Sequence, residues 1–318
     1  MNKTKFGVFL PFYAFKSEAM DSSAFFEQVH DVVLECDRLG YDSVWLDDHL
    51  MFENRSILEC WTTLSALATA TSKIRMGTMV LCRGFRNPAV LAKMAATLDV
   101  ISNGRLEFGI GAGIQEDEHL AYGIPFPKPY ARISRLKEAV EIIKKMWTQE
   151  KTSYEGKYYR TTEAVCEPKP VQKPHPPITI GGAGEKLTMK VAAQHADRFD
   201  WGPVTFEVYK HKLEVLESHC TAVGRDFREL EKSCWLGGQM FLAPSQKEAD
   251  EKVQQLKPEN VSMEDFKKIS FVATPDECKH EIKRYASLGV TYFMLFFGDL
   301  PDLSSLRLFS EVVKGLMQ

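Results

Sequence analysis

Two carboxylates and an imidazole stand side by side in the stretch Asp47-Asp48-His49. Histidine is the side chain best suited to moving a proton near neutral pH, and a neighbouring carboxylate can fix which ring nitrogen carries that proton. The alternative interpretation is structural: one aspartate caps a helix and the histidine is solvated. Because charged groups gathered at one strand end favour function, we predict proton chemistry at His49.

A glycine-rich stretch is the second candidate. In ITIGGAGEKLT, residues 178–188, an apolar run ends in Gly181, Gly182, Ala183 and Gly184. If a helix begins directly after the glycines, its free N–H groups and positive end could hold a phosphate. The stretch lacks the Gly-Lys-Ser/Thr of a Walker loop. A tight turn without a ligand is the alternative, and we favour phosphate binding.

Two further stretches have the residue types of a site without the spacing. GIGAG, residues 109–113, is followed by Ile114 where a dinucleotide fingerprint needs glycine, so these glycines indicate a sharp turn or a close approach to a ligand. EDEH, residues 116–119, has no spacing typical of metal ligands and reads as the acidic start of a helix. We therefore predict no metal site.

These candidates need elements to position them, and eight short apolar runs supply the strands. The runs are GVFLPFY (7–13), SVWLD (43–47), RMGTMVL (75–81), RLEFGI (105–110), PITIGG (177–182), ADRFDWG (196–202), CWLGGQMFL (234–242) and TYFMLFF (291–297). Helical patterns separate them, at 24–39, 61–70, 89–101, 131–147, 186–195, 206–223, 246–256, 275–288 and 304–317.

Strand and helix in alternation predict an α/β fold, a (β/α)8 TIM barrel in one domain over residues 1–318. An open doubly wound sheet would normally carry a glycine fingerprint after its first strand, where this chain has LPFY. Insertions are expected after the fourth strand and at residues 149–177, the latter with a hairpin. In this fold the active site lies at the C-terminal strand ends, where Asp47-Asp48-His49 and the glycine turn both fall.

The first strand ends in Phe12 and Tyr13, two aromatic residues that could wall a flat ligand or simply cap the core. The composition limits which classes of partner can be expected. A net charge of -3 and a pI near 6.3 give no reason to expect nucleic acid, and no run reaches the about 18 apolar residues that span a membrane. Seven scattered cysteines indicate reduced thiols, so we expect a cytoplasmic protein that acts on a small molecule.

Several stretches together resemble the luciferase-like monooxygenase superfamily, and most closely its branch dependent on coenzyme F420. They are GYDSVWLDDH, TSKIRMGTMVLCRGFRNPAVLAKMAATLDVISNGRLEFGIGAG, AYGIPFP, EPKPVQKPHPPITIGGAGEKL and TPDECKHEIKRYASLGVTYFMLFFGD. The resemblance covers nearly the whole chain. It implies an oxidoreductase that forms a homodimer.

The resemblance also assigns residues. It implies that Asp48 and His49 are catalytic and contact the cofactor ring, and that the turn Gly181–Gly184 and Gly111 bind the cofactor. It places a non-prolyl cis peptide between Met79 and Val80, beneath the ring. In sugar-phosphate dehydrogenase members a glutamate stands where this chain has Ile114, which disfavours that activity here, although Glu116 or Glu118 could substitute if the loop folds back.

The implied reaction is hydride transfer between F420 and an unidentified small organic substrate. An FMN-dependent monooxygenase that uses oxygen and a flavin reductase partner is the alternative, and a flavin-binding protein without turnover is a second one. Lys186 and Lys190 could attract the acidic tail of F420. Residues 111–130 and the proline-rich stretch are expected to form a lid over the substrate.

Overall fold

A computed structural model describes residues 3–10, 22–52, 55–314 and 316, so Phe12 and Tyr13 lie outside the described residues. The described chain forms twelve β-strands. They are β1 (Lys5–Leu10), β2 (Ser43–Leu46), β3 (Arg75–Thr78), β4 (Leu81–Cys82), β5 (Leu106–Gly111), β6 (Thr152–Glu155), β7 (Arg160–Ala164), β8 (Ile178–Gly181), β9 (Arg198–Asp200), β10 (Glu231–Leu242), β11 (Ser270–Ala273) and β12 (Tyr292–Phe297).

A closed parallel barrel contains nine of these strands, because β3 and β4 are two pieces of one barrel strand. The order runs β1, β2, β3 with β4, β5, β8, β9, β10 and β12, and β12 pairs back to β1. Its eight strand positions are those that the alternation predicts, so the predicted (β/α)8 barrel is confirmed.

Eleven α-helices accompany the strands in the described chain. They are α1 (Ser22–Leu39), α2 (Cys60–Ala70), α3 (Pro88–Ile101), α4 (Glu116–Ala121), α5 (Pro129–Thr148), α6 (Thr188–His195), α7 (Phe206–Ala222), α8 (Gln246–Leu256), α9 (Met263–Ile269), α10 (Pro275–Ala286) and α11 (Ser304–Val313). Side-chain caps define where several helices begin. Ahead of α3, for example, the side chain of Asn87 accepts a hydrogen bond from the backbone N–H of Ala89.

The insertions fall where the sequence predicts them. Residues 112–128 follow the fourth barrel strand, β5, and contain α4, while residues 149–177 contain the antiparallel hairpin β6–β7. Helix α9 and strand β11 were not predicted. Strand β11 is short and only half-buried, and it pairs with the second half of β10 beyond the point where β9 has ended.

The barrel interior is filled below the mouth. Trp45 lies in its centre, and a Cβ atom on Gly7 or Gly77 would come within 2.5 Å or 2.3 Å of the indole. Nearer the N-terminal strand ends, Arg198 is buried over the ring of Tyr292 at 3.8 Å from its centroid. These groups fill the described part of the interior below the C-terminal strand ends.

Buried carboxylates neutralise that arginine. Arg198 Nη1 lies 3.1 Å from Glu107 Oε2, and Nη2 lies 2.5 Å from Glu231 Oε2. All three residues stand at the starts of their strands, away from the mouth. A buried charge is tolerated only when it is paired and hydrogen-bonded, so this cluster belongs to the fold.

Candidate active site

A cavity of about 360 Å³ opens at the C-terminal ends of the barrel strands. Its lining comes from the segments 47–49, 79–82, 111–115, 118–119, 181–183, 200–202 and residue 235. Six of the eight barrel positions therefore contribute. The fold brings Asp47-Asp48-His49, the Met79-Val80 pair and residues 181–183 of the glycine turn into one cavity, although up to about 130 residues separate them in sequence. Gly184, the last residue of the predicted turn, is not among the lining residues.

The two adjacent aspartates have different environments because side chains alternate along a strand. Trp45 lies inside the barrel, whereas Leu46 packs in the layer between strands and helices. By the same alternation, the side chain of Asp47 points into the barrel, like that of Trp45, and is partly exposed at the cavity. The side chain of Asp48 points outward, like that of Leu46.

The side chain of Asp48 has no exposed surface and is held by Arg86 and by the backbone of Cys82. It accepts two hydrogen bonds from Arg86, at 2.6 Å and 2.9 Å, and one from the backbone N–H of Cys82 at 2.8 Å. Arg86 also reaches Glu59, the N-cap residue of α2, at 2.6 Å. Asp48 thus ties together the ends of two barrel strands and a helix, and both of its carboxylate oxygens are engaged by these partners.

Asp47 has no such partner: no described residue forms a hydrogen bond or an ion pair with its carboxylate. Burial raises the pKa of Asp47 to about 7, opposed by the nearby His49 and reinforced by the negative charges of Asp48 and Glu118. The group can therefore take up or release a proton near neutral pH.

His49 is paired with a carboxylate from the insertion after β5. Its Nδ1 lies 3.2 Å from Oε2 of Glu118, and a quarter of its side-chain surface is exposed. The hydrogen bond with Glu118 raises the pKa of His49, although burial opposes this. His49 is therefore placed at the cavity with a carboxylate that favours its protonated form.

Glu118 is buried, with 2% of its surface exposed. Besides His49 it accepts hydrogen bonds from the backbone N–H groups of Leu50 and of Met51, the latter at 3.1 Å. Burial raises the pKa of Glu118, but the bonds from His49 and these two N–H groups outweigh it and lower the pKa overall. The loop after β5 does fold back, as the alternative role for Glu118 requires.

Sequence reasoning assigned residues 116–119 to the acidic start of a helix, and α4 does begin there. Glu116 and Asp117 are exposed and fit that reading. Glu118 and His119 do not, because both are buried. His119 donates from Nδ1 to the carbonyl of Gln115 at 2.6 Å, which leaves Nε2 facing the Cys82 sulfur at 3.5 Å.

The peptide between Met79 and Val80 is cis, as the family resemblance predicts. It lies in the break between β3 and β4 and borders the cavity. The side chain of Val80 packs against two glycines on neighbouring strands. A Cβ atom on Gly111 or on Gly181 would lie 2.7 Å or 2.8 Å from the Val80 methyls. These glycines are needed because Val80 occupies the space of their side chains.

The glycine turn leaves backbone donors free. Gly182 has a φ of 140° and donates to the carbonyl of Asp200 at 2.9 Å. The N–H groups of Ala183 and Gly184 bond to none of the described residues. Helix α6 begins at Thr188, so the predicted helix directly after the glycines starts later than expected.

A buried lysine supports this turn. Lys212 of α7 donates to the carbonyl of Ala183 at 3.1 Å and lies 3.4 Å from Glu185, with 9% of its side chain exposed. The lysine holds the Ala183 carbonyl, and its positive charge lies close to the free N–H groups. Such a turn fits an anion. Lys186 and Lys190 are exposed and do not border the cavity.

Aromatic residues of β10 and of the loop after β9 form a further part of the cavity wall. Trp201 and Trp235 line the cavity, and Trp235 Nε1 donates to Asp200 at 2.9 Å. Asp200 also accepts from Ser233 at 3.0 Å and from the N–H of Gly202 at 2.9 Å. Its carboxylate is thus used to orient the indole of Trp235.

At the mouth, Ile114 is 80% exposed and borders the cavity. Leu120 and Tyr122 on the same insertion are 66% and 54% exposed. The rim contributed by residues 112–122 therefore presents apolar groups. Among the described residues that line the cavity, none is lysine or arginine.

Two features are absent from the part of the chain that the structure describes. No group of three or more His, Cys, Asp or Glu side chains is arranged to hold a metal ion. No helix there has the length and apolar character to span a membrane. The cytoplasmic location stays a prediction.

Residues 4–292 match the model of a family described as luciferase-like monooxygenase. An uncharacterized protein of Mycobacterium tuberculosis is 36% identical over 169 residues, which cover 53% of this chain and 58% of that protein, so the match spans little more than half of that relative.

One other relative and one solved structure match over most of the chain. An F420-dependent glucose-6-phosphate dehydrogenase of Microbacterium testaceum is 30% identical over 307 residues, covering 87% of this chain and 89% of that enzyme. The solved structure of an F420-dependent secondary alcohol dehydrogenase in complex with an F420-acetone adduct has a TM-score of 0.82, 23% identity and 99% coverage of both chains.

Proposed function

Because this chain belongs to the luciferase-like monooxygenase family, we propose that it is an oxidoreductase that uses coenzyme F420 and a small organic substrate in the cavity at the barrel mouth. The observation that carries the proposal is the joining, in one cavity, of a proton-active His49 and a turn with free backbone donors. The names of the full-length relatives support F420 as the cofactor.

The residues present fit such a cofactor. The N–H groups of Ala183 and Gly184, backed by Lys212, would hold the cofactor phosphate. Met79, Val80 and Gly111 border the space next to that turn and would carry the flat ring system. When bound, F420 supplies a ring carbon that accepts or gives up a hydride.

His49 has the proton-handling role in this proposal. Its Nδ1 is engaged with Glu118, and a quarter of the side chain is open to the cavity. The imidazole can therefore orient a polar ligand atom or hold a proton beside it. Glu118 is a positioning residue that fixes the ring of His49. Asp48 is also a positioning residue, because Arg86 and Cys82 use its carboxylate.

The cavity favours an uncharged substrate. None of its described lining residues is lysine or arginine, and His49 is already paired with Glu118, so a phosphate on the substrate would be buried without a cation of its own. Ile114 and the aromatic wall of Trp201 and Trp235 offer apolar contacts instead. We therefore propose a neutral, largely apolar molecule rather than a sugar phosphate.

Binding tests the cofactor assignment. The purified protein is titrated with F420 and separately with FMN, and tryptophan fluorescence is followed because Trp201 and Trp235 line the cavity. F420 is expected to bind more tightly. The Lys212→Met variant should bind F420 about tenfold more weakly, the effect of about 1.4 kcal/mol. Lys247→Met, whose side chain is 85% exposed on α8, is the matched control.

Two other outcomes would favour the alternative functions. Tight FMN binding with weak F420 binding would overturn the proposal in favour of an FMN-dependent monooxygenase, which would need oxygen and a flavin reductase partner. Tight F420 binding without turnover across alcohols, aldehydes and ketones would favour a binding protein. Homodimer formation remains a prediction that size-exclusion chromatography with light scattering can test.

A further inference from the structure

Four carboxylates come from residues that line the cavity, and three of them are already used. Asp48 is held by Arg86, Glu118 by His49 and two backbone N–H groups, and Asp200 by Trp235, Ser233 and Gly202. Asp47 is different. Its carboxylate has no hydrogen-bonding or ion-pair partner among the described residues.

The position of Asp47 follows from the strand that carries it. Trp45 points into the barrel, so the side chain two residues further along β2 belongs to the same interior face. The indole of Trp45 fills the space below, and Asp47 therefore stands at the floor of the cavity. It is partly exposed there, which gives it access to a ligand and to water.

The charged groups that face Asp47 come from two elements. His49 and Asp48 follow β2, and Glu118 reaches across from α4. No cationic lysine or arginine is among the described residues that line this space. Such surroundings stabilise the neutral carboxylic acid relative to the carboxylate, as is typical of acid-base residues in enzymes.

We propose that Asp47 is a catalytic residue that exchanges the substrate proton during hydride transfer, a role that the predicted pair of Asp48 and His49 does not include. This inference rests on the proposed function. Asp47 would contact the oxygen of an alcohol or carbonyl substrate, beside the pair formed by His49 and Glu118.

In the oxidation of an alcohol, the carbon-bound hydrogen leaves as hydride to the bound F420, and the hydroxyl proton passes to the Asp47 carboxylate as the C=O bond forms. Asp47 then releases its proton to water, and the reduced cofactor takes one proton from water. The net change is loss of two hydrogens by the alcohol and gain of two by the cofactor. Reduction of a carbonyl reverses each transfer.

An infrared titration of the protein without cofactor tests the protonation of Asp47 directly. Difference spectra between pH 5 and pH 9 report the C=O stretch of protonated carboxyl groups. In the wild type we expect a band that disappears with a midpoint at about pH 7. The band should be absent from Asp47→Asn and present in Asp276→Asn, a control whose side chain is 96% exposed on α10. A band that persists in Asp47→Asn would overturn the assignment.

Turnover provides the second measurement. Alcohol oxidation with F420 should fall at least 100-fold in Asp47→Asn, and the remaining rate should lose the rise near pH 7, while F420 binding stays within threefold of the wild type. An unchanged pH profile would refute the role of Asp47 and leave the proposed function intact. If no substrate is turned over by the wild type but the infrared band is present, the proposed function has failed and with it the catalytic role of Asp47.

Discussion

Oε2 of Glu118 lies 3.2 Å from Nδ1 of His49, although 69 residues separate the two in the chain. The contact joins the end of β2 to helix α4, which belongs to the insertion after β5. Tyr122 adds a second link, because its hydroxyl donates to the carbonyl of Leu50 at 3.0 Å. The insertion therefore fixes the loop that carries His49, and it brings a buried carboxylate to the imidazole.

Replacing His49 by alanine should leave the fold intact and remove most of the redox activity. The side chain is partly exposed and contributes little to the core, whereas loss of a proton-handling group typically costs about 10²- to 10⁴-fold in rate. F420-coupled turnover and the melting temperature are the measurements. His280→Ala, at an exposed position on α10, is the control. A folded His49→Ala protein with wild-type turnover would exclude His49 from the mechanism.

Replacing Glu118 by glutamine should lower the pKa of His49 towards its ordinary value, because the hydrogen bond with Glu118 is the main cause of its increase. Proton NMR of the imidazole measures this shift. The contribution of His49 to stability is complete below its unfolded pKa, about 6.5, and is lost as pH rises through its raised folded pKa. The destabilisation caused by Glu118→Gln should thus be larger at pH 6 than at pH 9, and equal effects at both would contradict the pairing.

Asp47→Asn should stabilise the protein at high pH. The folded pKa of Asp47, about 7, exceeds its unfolded value of about 3.9, so only the folded state holds the proton in this interval. Stability is then lost as pH rises from about 4 to 7, by at most about 1.4 kcal/mol per pH unit. Thermal unfolding should show that the stability of the variant relative to that of the wild type increases between pH 4 and pH 8. A difference independent of pH would refute this prediction.

Gly181→Ala should destabilise the protein by about 1–3 kcal/mol, because its Cβ would approach the Val80 methyls to 2.8 Å. Val80→Ala removes those methyls and should restore part of the loss. Urea denaturation of both single variants and the double variant measures their coupling. Gly224→Ala is the control, since nothing lies within 4 Å of its Cβ position and its effect should simply add to that of Val80→Ala. Additive effects for Gly181→Ala would show that Val80 does not require the glycine.

Uncharged alcohols should be better substrates than glucose-6-phosphate. Because none of the described lining residues is lysine or arginine, the phosphate would have no lysine or arginine cation beside it in the cavity. We expect a kcat/KM at least 100-fold lower for the sugar phosphate than for a secondary alcohol of similar size. Steady-state reduction of F420 measures both values. Comparable values would mean that a cation outside the described lining reaches the substrate.

Much of the fold could be predicted because it depends on local patterns. Short apolar runs separated by helical periodicity identify the strands of a covered parallel barrel, and the eight positions were found in this way. Helix α9 and strand β11 were missed, since four half-buried residues give too weak a pattern. The start of α6 depends on the hydrogen bonds of the turn, which the residue types alone do not specify.

The sequence by itself determined the barrel, the glycine turn and the presence of His49 at a strand end. It placed Asp47 and Asp48 side by side, and the family resemblance favoured Asp48 as the catalytic one. Only the tertiary structure decided between them, because Arg86 and the backbone of Cys82 neutralise the outward carboxylate and leave the inward one unpaired. The same holds for Glu118. Its role depends on a loop that folds back across the barrel mouth, and contacts between distant segments depend on the packing of the whole chain rather than on local residue order.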